Sequence, residues 1–157
     1  MKKFLVIVIS LVFVASCSSK GKVKEESLSP TAIKGYGITG SDAGQAGQLK
    51  TVNFDFDKFA LTSAAKTILK QNAAWLKKNT DVKVQIEGHC DSRGTIEYNV
   101  ALGEKRANTV QKYLTAIGVA AGRMSTISYG KERPLCGEDT EECWAKNRRA
   151  NFVLINN

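Results

Sequence analysis

The sequence predicts an α/β sandwich, one domain with a four-stranded sheet and two long helices. Three observations predict it. Short runs with apolar residues at every second position alternate with long runs at helical spacing. The last strand-like run is apolar without alternation, as a strand covered on both faces would be. The chain has 157 residues, 43% of them hydrophobic, which is enough for one sizeable core.

The elements follow in order from residue 51. TVNFDF places Val52, Phe54 and Phe56 on one face and Asn53 and Asp55 on the other, so a half-buried strand is expected. Thr62 and Ser63 are cap candidates for a first helix whose apolar stripe is Ala64, Ala65, Ile68, Leu69, Ala73 and Leu76. VKVQIEG is a second strand with Val82, Val84 and Ile86 inward. A second helix runs from about Ile96 to Ile117, with Ala107, Val110, Tyr113, Leu114 and Ile117 on its apolar face and Gly118 as the stop. MSTISYG is a third strand, residues 138–147 suit a short helix, and ANFVLIN is the last strand.

The N-terminus carries no fold signal. Lys2 and Lys3 precede FLVIVISLVFVA, too short for a mature membrane span and the right length for a signal-peptide core, so residues 1–16 are expected to be removed. Val14-Ala15-Ser16-Cys17 resembles the bacterial lipobox, which would make Cys17 the lipid-modified first residue of the mature chain. Ser18 is not the aspartate that retains enterobacterial lipoproteins in the inner membrane, so an outer-membrane address with the globular domain in the periplasm is expected. Residues 18–49 are rich in Ser, Gly, Lys and Ala without hydrophobic period, and are expected to form a flexible tether reaching about 110 Å when stretched. The folded domain would then span 50–157.

Charge excludes little but orders the candidates. The formal charge is +8, of which Lys2 and Lys3 contribute two, and the basic residues form no stripe of nucleic-acid type. A polyanionic or carboxylate-bearing partner fits better. Of the cysteines other than Cys17, Cys136 and Cys143 lie close in sequence and are expected to form a disulfide, leaving Cys90 free.

The chemistry concentrates in EGHCDSRGTIEYN, residues 87–99. Strand parity puts Cys90 on the face of Val82, Val84 and Ile86, and His89 and Asp91 on the other with Glu87. Adjacent strand residues diverge, so a Cys90–His89 nucleophilic pair is disfavoured. A zinc site would need Cys136 and Cys143 at an unusual spacing, and no phosphate-binding loop or catalytic signature is present. Neither cofactor nor metal is expected. What remains is charge geometry: Asp91 at a strand end, Arg93 in the turn and Arg106 in the returning helix. Spacing alone leaves two readings open, a binding crevice or a surface salt bridge between Asp91 and Arg106.

The run Asn99-x-x-Leu102-Gly103-x-Lys105-Arg106-Ala107-x-x-Val110-x-x-x-Leu114 resembles the signature of OmpA C-terminal-like domains. Gly103 stands where that family usually has serine, and Lys105 where it has a first arginine. FDFDKF, EGHCDSRGTIEYN, ISYGKERP and KNRRANFVL are closer still to its lipid-anchored members of the Tol/Pal system. The resemblance implies a mixed sheet with both long helices on one face and a short third helix. It also implies a non-enzymatic domain that binds peptidoglycan non-covalently at meso-diaminopimelate, with TolB and other Tol proteins as partners and a role in outer-membrane constriction at division. By the same resemblance Asp91 and Arg106 match the ligand-gripping pair. Asp57, Arg93, Asn99 and Leu102 would line the pocket. Arg148 and Arg149 match a signature at the entrance to the last strand, either bracing it or offering a second anion site. An OmpA-like wall anchor outside the Tol/Pal system remains an alternative. So, more remotely, does a peptidoglycan-acting enzyme using Asp55, Asp57 and Asp91.

Overall fold

The computed structural model describes residues 40–155. The signal segment, Cys17 and the tether as far as residue 39 lie outside the described residues. Strands β1 (Val52–Asn53), β2 (Lys83–His89), β3 (Met124–Gly130) and β4 (Arg149–Ile155) form one mixed sheet in the order β1-β4-β2-β3. Only β2 and β3 run parallel, joined through helix α2 (Ile96–Ala116), because a parallel pair needs a long crossover. Helix α1 (Ser63–Lys78) and α2 cover one face of the sheet. The short α3 (Glu141–Asn147) precedes β4.

Each helix starts where its sequence provides a cap. Thr62, Thr95 and Thr140 accept hydrogen bonds from Ala65, Tyr98 and Cys143 N–H respectively, satisfying first-turn donors that would otherwise be orphaned. At the far end of α1, the Arg123 guanidinium donates to the carbonyls of Leu76 and Val82, both at 2.9 Å. The core joins Leu69, Ala73 and Leu76 of α1, Ala107, Val110 and Leu114 of α2, and Val84, Ile86, Ala150 and Phe152 of the sheet. Helix α2 approaches β2 closely because glycines face each other. A Cβ on Gly88 would lie 1.9 Å from the Gly103 carbonyl oxygen.

Two expectations need correction. Strand β1 stops at Asn53, and although Phe54 is buried, Phe56 is 53% exposed, so the predicted inward alternation breaks. The cause is a turn in which Asp57 adopts φ 56°, a left-handed conformation that aspartate tolerates better than most residues. The second concerns residues 40–49, expected to continue the tether. Gly40–Ala43 form a 3₁₀ turn against β4, with Ala46 and Leu49 buried in the core. Ser41 donates to Asn151 at 2.8 Å, the Asp42 carboxylate accepts from Arg149 at 2.7 Å, and Asn72 holds Lys50 through paired bonds of 2.8 and 2.9 Å. Ser41 and Asp42 cover Asn151 and Arg149 on the sheet face opposite the helices, while Ala46 and Leu49 join the core beside α1. This explains why β4 starts without alternation. Glu87 and His89, predicted on a polar face, are buried there, Glu87 accepting from Asn151 at 2.8 Å and His89 packing on the Tyr129 ring.

Candidate functional site

Three segments converge at one end of the sheet: the turn after β1, the C-terminal end of β2, and the first half of α2. The register of β2 slips between Gly88 and His89, and Cys90 N–H then donates to the Gly130 carbonyl at 2.7 Å. This irregularity turns Asp91 toward the start of α2. Between the three segments lies a crevice of about 210 Å³ whose walls include Asp57, Asp91, Arg93, Asn99, Leu102 and Arg106.

Arg106 is fully buried. Its guanidinium donates to three backbone carbonyls, His89 at 2.8 Å, Lys58 at 2.9 Å and Asp55 at 3.1 Å, and so ties the β1 turn to the end of β2. A guanidinium has roughly five N–H donors, so two are left by the carbonyls, with the Cys90 thiol beside them. Burial draws its pKa below the ordinary arginine value, yet arginine stays charged in proteins. No ion pair among the described residues includes it. The crevice therefore holds a desolvated cation surrounded by carbonyls, the Cys90 thiol and the Phe54 ring, an environment that favours an incoming carboxylate.

Asp91 is buried as well and differently satisfied. Its Oδ2 accepts from Arg93 at 2.6 Å and from Arg148 at 3.2 Å, and its Oδ1 accepts from Arg93 Nε at 3.3 Å. Burial pushes this carboxyl upward, but the hydrogen bonds from Arg93 and Arg148 outweigh burial and hold it below the usual carboxylate range. The Arg93 guanidinium lies between two rings, 3.8 Å from the centroid of Phe56 and 4.0 Å from that of Trp144. On the β1 turn, the Asp57 carboxylate accepts a hydrogen bond from the Tyr98 hydroxyl. Asn99 donates to the carbonyls of Arg93 and Thr95 at 2.7 and 2.9 Å, which fixes the turn carrying Arg93.

The crevice thus brings a buried guanidinium within reach of two carboxylates, Asp57 and Asp91. Burial raises the Cys90 thiol to about 11, and its sulfur donates to the Asn99 carbonyl. His89 points to the other face of the sheet, where burial holds it below its ordinary pKa although its Nε2 lies 3.6 Å from the Glu87 carboxylate. A second, open groove of about 910 Å³ runs beside residues 41–51, but its Asp42 and Arg149 are spent on each other.

The profile of the OmpA family matches residues 53–148, a span that includes every wall of the crevice. The chain belongs to the OmpA family. Its relatives include the peptidoglycan-associated lipoproteins of Mesorhizobium japonicum, 37% identical with 96% of this chain and 90% of the relative covered, and of Haemophilus influenzae, 39% identical with 94% of each covered. The crystal structure of the peptidoglycan-associated lipoprotein from Burkholderia pseudomallei superposes with a TM-score of 0.65 at 41% identity, covering 67% of this chain and 89% of that one. The C-terminal domain of Helicobacter pylori MotB, at 23% identity and a TM-score of 0.64 over 69% of this chain and 85% of that chain, shares the fold alone.

Within this OmpA-family domain the six residues expected at the site all line one crevice. The surface salt bridge between Asp91 and Arg106 that spacing left open is absent: both residues are buried, and Asp91 pairs with Arg93 and Arg148. Arg149 braces the last strand through Asp42, whereas Arg148 reaches the crevice wall. Cys136 and Cys143 are joined by a disulfide, and Cys90 is the free cysteine among the described residues. Sequence reasoning missed Phe56, Tyr98 and Trp144. Of these, Phe56 carried a misleading signal because alternation assigned it to the core.

Proposed function

We propose that this protein is an outer-membrane lipoprotein that grips the meso-diaminopimelate side chain of peptidoglycan and so tethers the outer membrane to the cell wall. The observation that carries this reading is Arg106, a fully buried cation with N–H groups to spare and no carboxylate of its own. The free end of diaminopimelate is an amino-acid zwitterion. Its carboxylate would take the remaining fork of Arg106, and its ammonium would meet the rim carboxylates of Asp57 and Asp91. Family membership and the likeness to peptidoglycan-associated lipoproteins support the same substrate. Domains of this kind are non-enzymatic, in keeping with the poorly reactive groups around the crevice.

At the other end, Cys17 would carry the acyl chains, giving a stable hold because each buried methylene contributes about 0.8 kcal/mol. No described helix is long and apolar enough to cross a membrane. TolB and the other Tol proteins are the proposed partners, which places the protein in the Tol/Pal system and in outer-membrane constriction at division. The deciding experiment is sedimentation with purified sacculi. The protein should pellet with diaminopimelate-type peptidoglycan and at least tenfold more weakly with lysine-type peptidoglycan, which lacks the distal carboxylate. Equal pelleting with both would overturn the reading.

A further inference from the structure

We infer that Trp144 is a positioning residue of the crevice and that the Cys136–Cys143 disulfide holds it in place. The inference rests on the diaminopimelate reading above and adds an element, α3, that lies outside the crevice lining. Arg93 donates two hydrogen bonds to Asp91, at 2.6 and 3.3 Å, so wherever Arg93 is held the Asp91 carboxylate is held too. One side of the Arg93 guanidinium is covered by Phe56 from the β1 turn and the other by Trp144 from α3. Trp144 is itself fixed, its indole N–H donating to Ser92 Oγ at 3.0 Å. Glu141, one turn earlier, accepts from Arg148 at 2.6 Å and lies 3.9 Å from Arg93, so the same helix also touches both cations that grip Asp91.

A helix of seven residues has little stability of its own, and its orientation must come from outside. The disulfide supplies that constraint at the residue next to Trp144, with Cys143 buried and Cys136 in the loop seven positions earlier. Asn147 adds a second tie, accepting from Leu135 N–H at 2.8 Å and donating to the Cys136 carbonyl at 2.8 Å. Loop and helix thus form one small stapled unit, and its contact with the crevice runs through Trp144 and Glu141. The orientation of Asp91 toward a ligand ammonium is consequently set from α3 as well as from β2.

The test is calorimetric titration with the tripeptide L-Ala-D-Glu-meso-diaminopimelate on the folded protein and its variants. Trp144→Leu should weaken binding about threefold to tenfold, the range expected for loss of one face of a cation–aromatic stack. Trp144→Phe, which keeps a ring over Arg93, should stay within about twofold of the unaltered protein. The double variant Cys136→Ser/Cys143→Ser should shift affinity in the direction of Trp144→Leu while retaining cooperative unfolding. In an Arg93→Ala background, Trp144→Leu should have no further effect, because its influence passes through Arg93. Unchanged affinity in Trp144→Leu, or an equal loss in the Arg93→Ala background, would overturn the inference while leaving the diaminopimelate reading intact. If the unaltered protein failed to bind the tripeptide, that reading would fall, and the inference with it.

Discussion

The substitution Arg106→Lys separates the ligand-gripping role of this side chain from its charge. Arginine spends three N–H groups on the carbonyls of His89, Lys58 and Asp55 and keeps two for a guest. A lysine ammonium has three donors in all, on a single nitrogen with a shorter overall reach. If it satisfies the buried His89 carbonyl and one other, a single donor is left where arginine offered a planar fork. Each hydrogen bond involving a charged group contributes about 1.5–3 kcal/mol, so losing one arm of the fork should weaken binding of the diaminopimelate tripeptide about tenfold to hundredfold. The fold should lose about 1–3 kcal/mol for the carbonyl left behind, less if water reaches it. Calorimetric titration and urea unfolding followed by circular dichroism give the two quantities independently. Affinity within twofold of the unaltered protein, with the predicted loss of stability present, would show that Arg106 braces the turn and does not hold the ligand.

Asp91→Asn should destabilise the domain by about 3 kcal/mol, the low end of the range for breaking a buried ion pair, because Arg148 retains Glu141; urea unfolding measures it. His89 is neutral in the fold because burial lowers its pKa, so the unfolded chain binds more protons than the fold between the two values. Stability should be complete above about pH 6.5 and fall as pH drops toward the folded value, and His89→Leu should flatten that slope in denaturant titrations. Gly88→Ala should cost about 3 kcal/mol or more, or prevent folding, since the new methyl would meet the Gly103 backbone; a thermal midpoint unchanged from that of the unaltered protein would contradict the close approach of α2 to β2.

Helical periodicity made α1 and α2 legible, with Thr62 readable as the cap of α1, but the parity of β2 grouped Asp91 with His89, and the slip at Gly88 instead brings Asp91 to the crevice that Cys90 lines. Polar residues on the opposite face of β2 could not be assigned from alternation, because Glu87 and His89 are buried among Asn151 and Tyr129, and a segment distant in sequence and poor in apolar residues packs on the neighbouring β4. That segment has Ala46 and Leu49 as its buried apolar anchors and otherwise relies on Ser41 and Asp42 for its contacts. Side-chain polar contacts across about a hundred residues leave no local period to read. At the crevice, motif matching named the residues that meet, but not what each is spent on. That Asp91 is shared by two arginines while Arg106 donates to three backbone carbonyls and to no carboxylate depends on the turn at Asp57 and the slip at Gly88, neither of which alternation predicts.

The corrected boundary of the domain leads to one more measurable consequence. A shortened chain beginning at Lys50, where composition places the start of the fold, would lose Asp42 and uncover Arg149 to water; in the intact pair their side chains are 2% and 4% exposed. Losing that charge-assisted hydrogen bond costs about 1.5–3 kcal/mol, and the loss of buried Leu49 adds about 1.5–3 kcal/mol. Domains of this size are stable by only about 5–15 kcal/mol in total. The shortened chain should therefore unfold at a clearly lower urea concentration, whereas one beginning at residue 39 should match the full-length protein. Urea midpoints of the two truncations decide the matter, and a difference under about 1 kcal/mol would mean that residues 40–49 only rest on the sheet. If the difference is as large as the burial requires, the tether joins the domain at β4. Because β4 is hydrogen-bonded along β2, which ends at Asp91, tension between membrane and wall would then pass through the central strand pair and not through a free edge of the sheet.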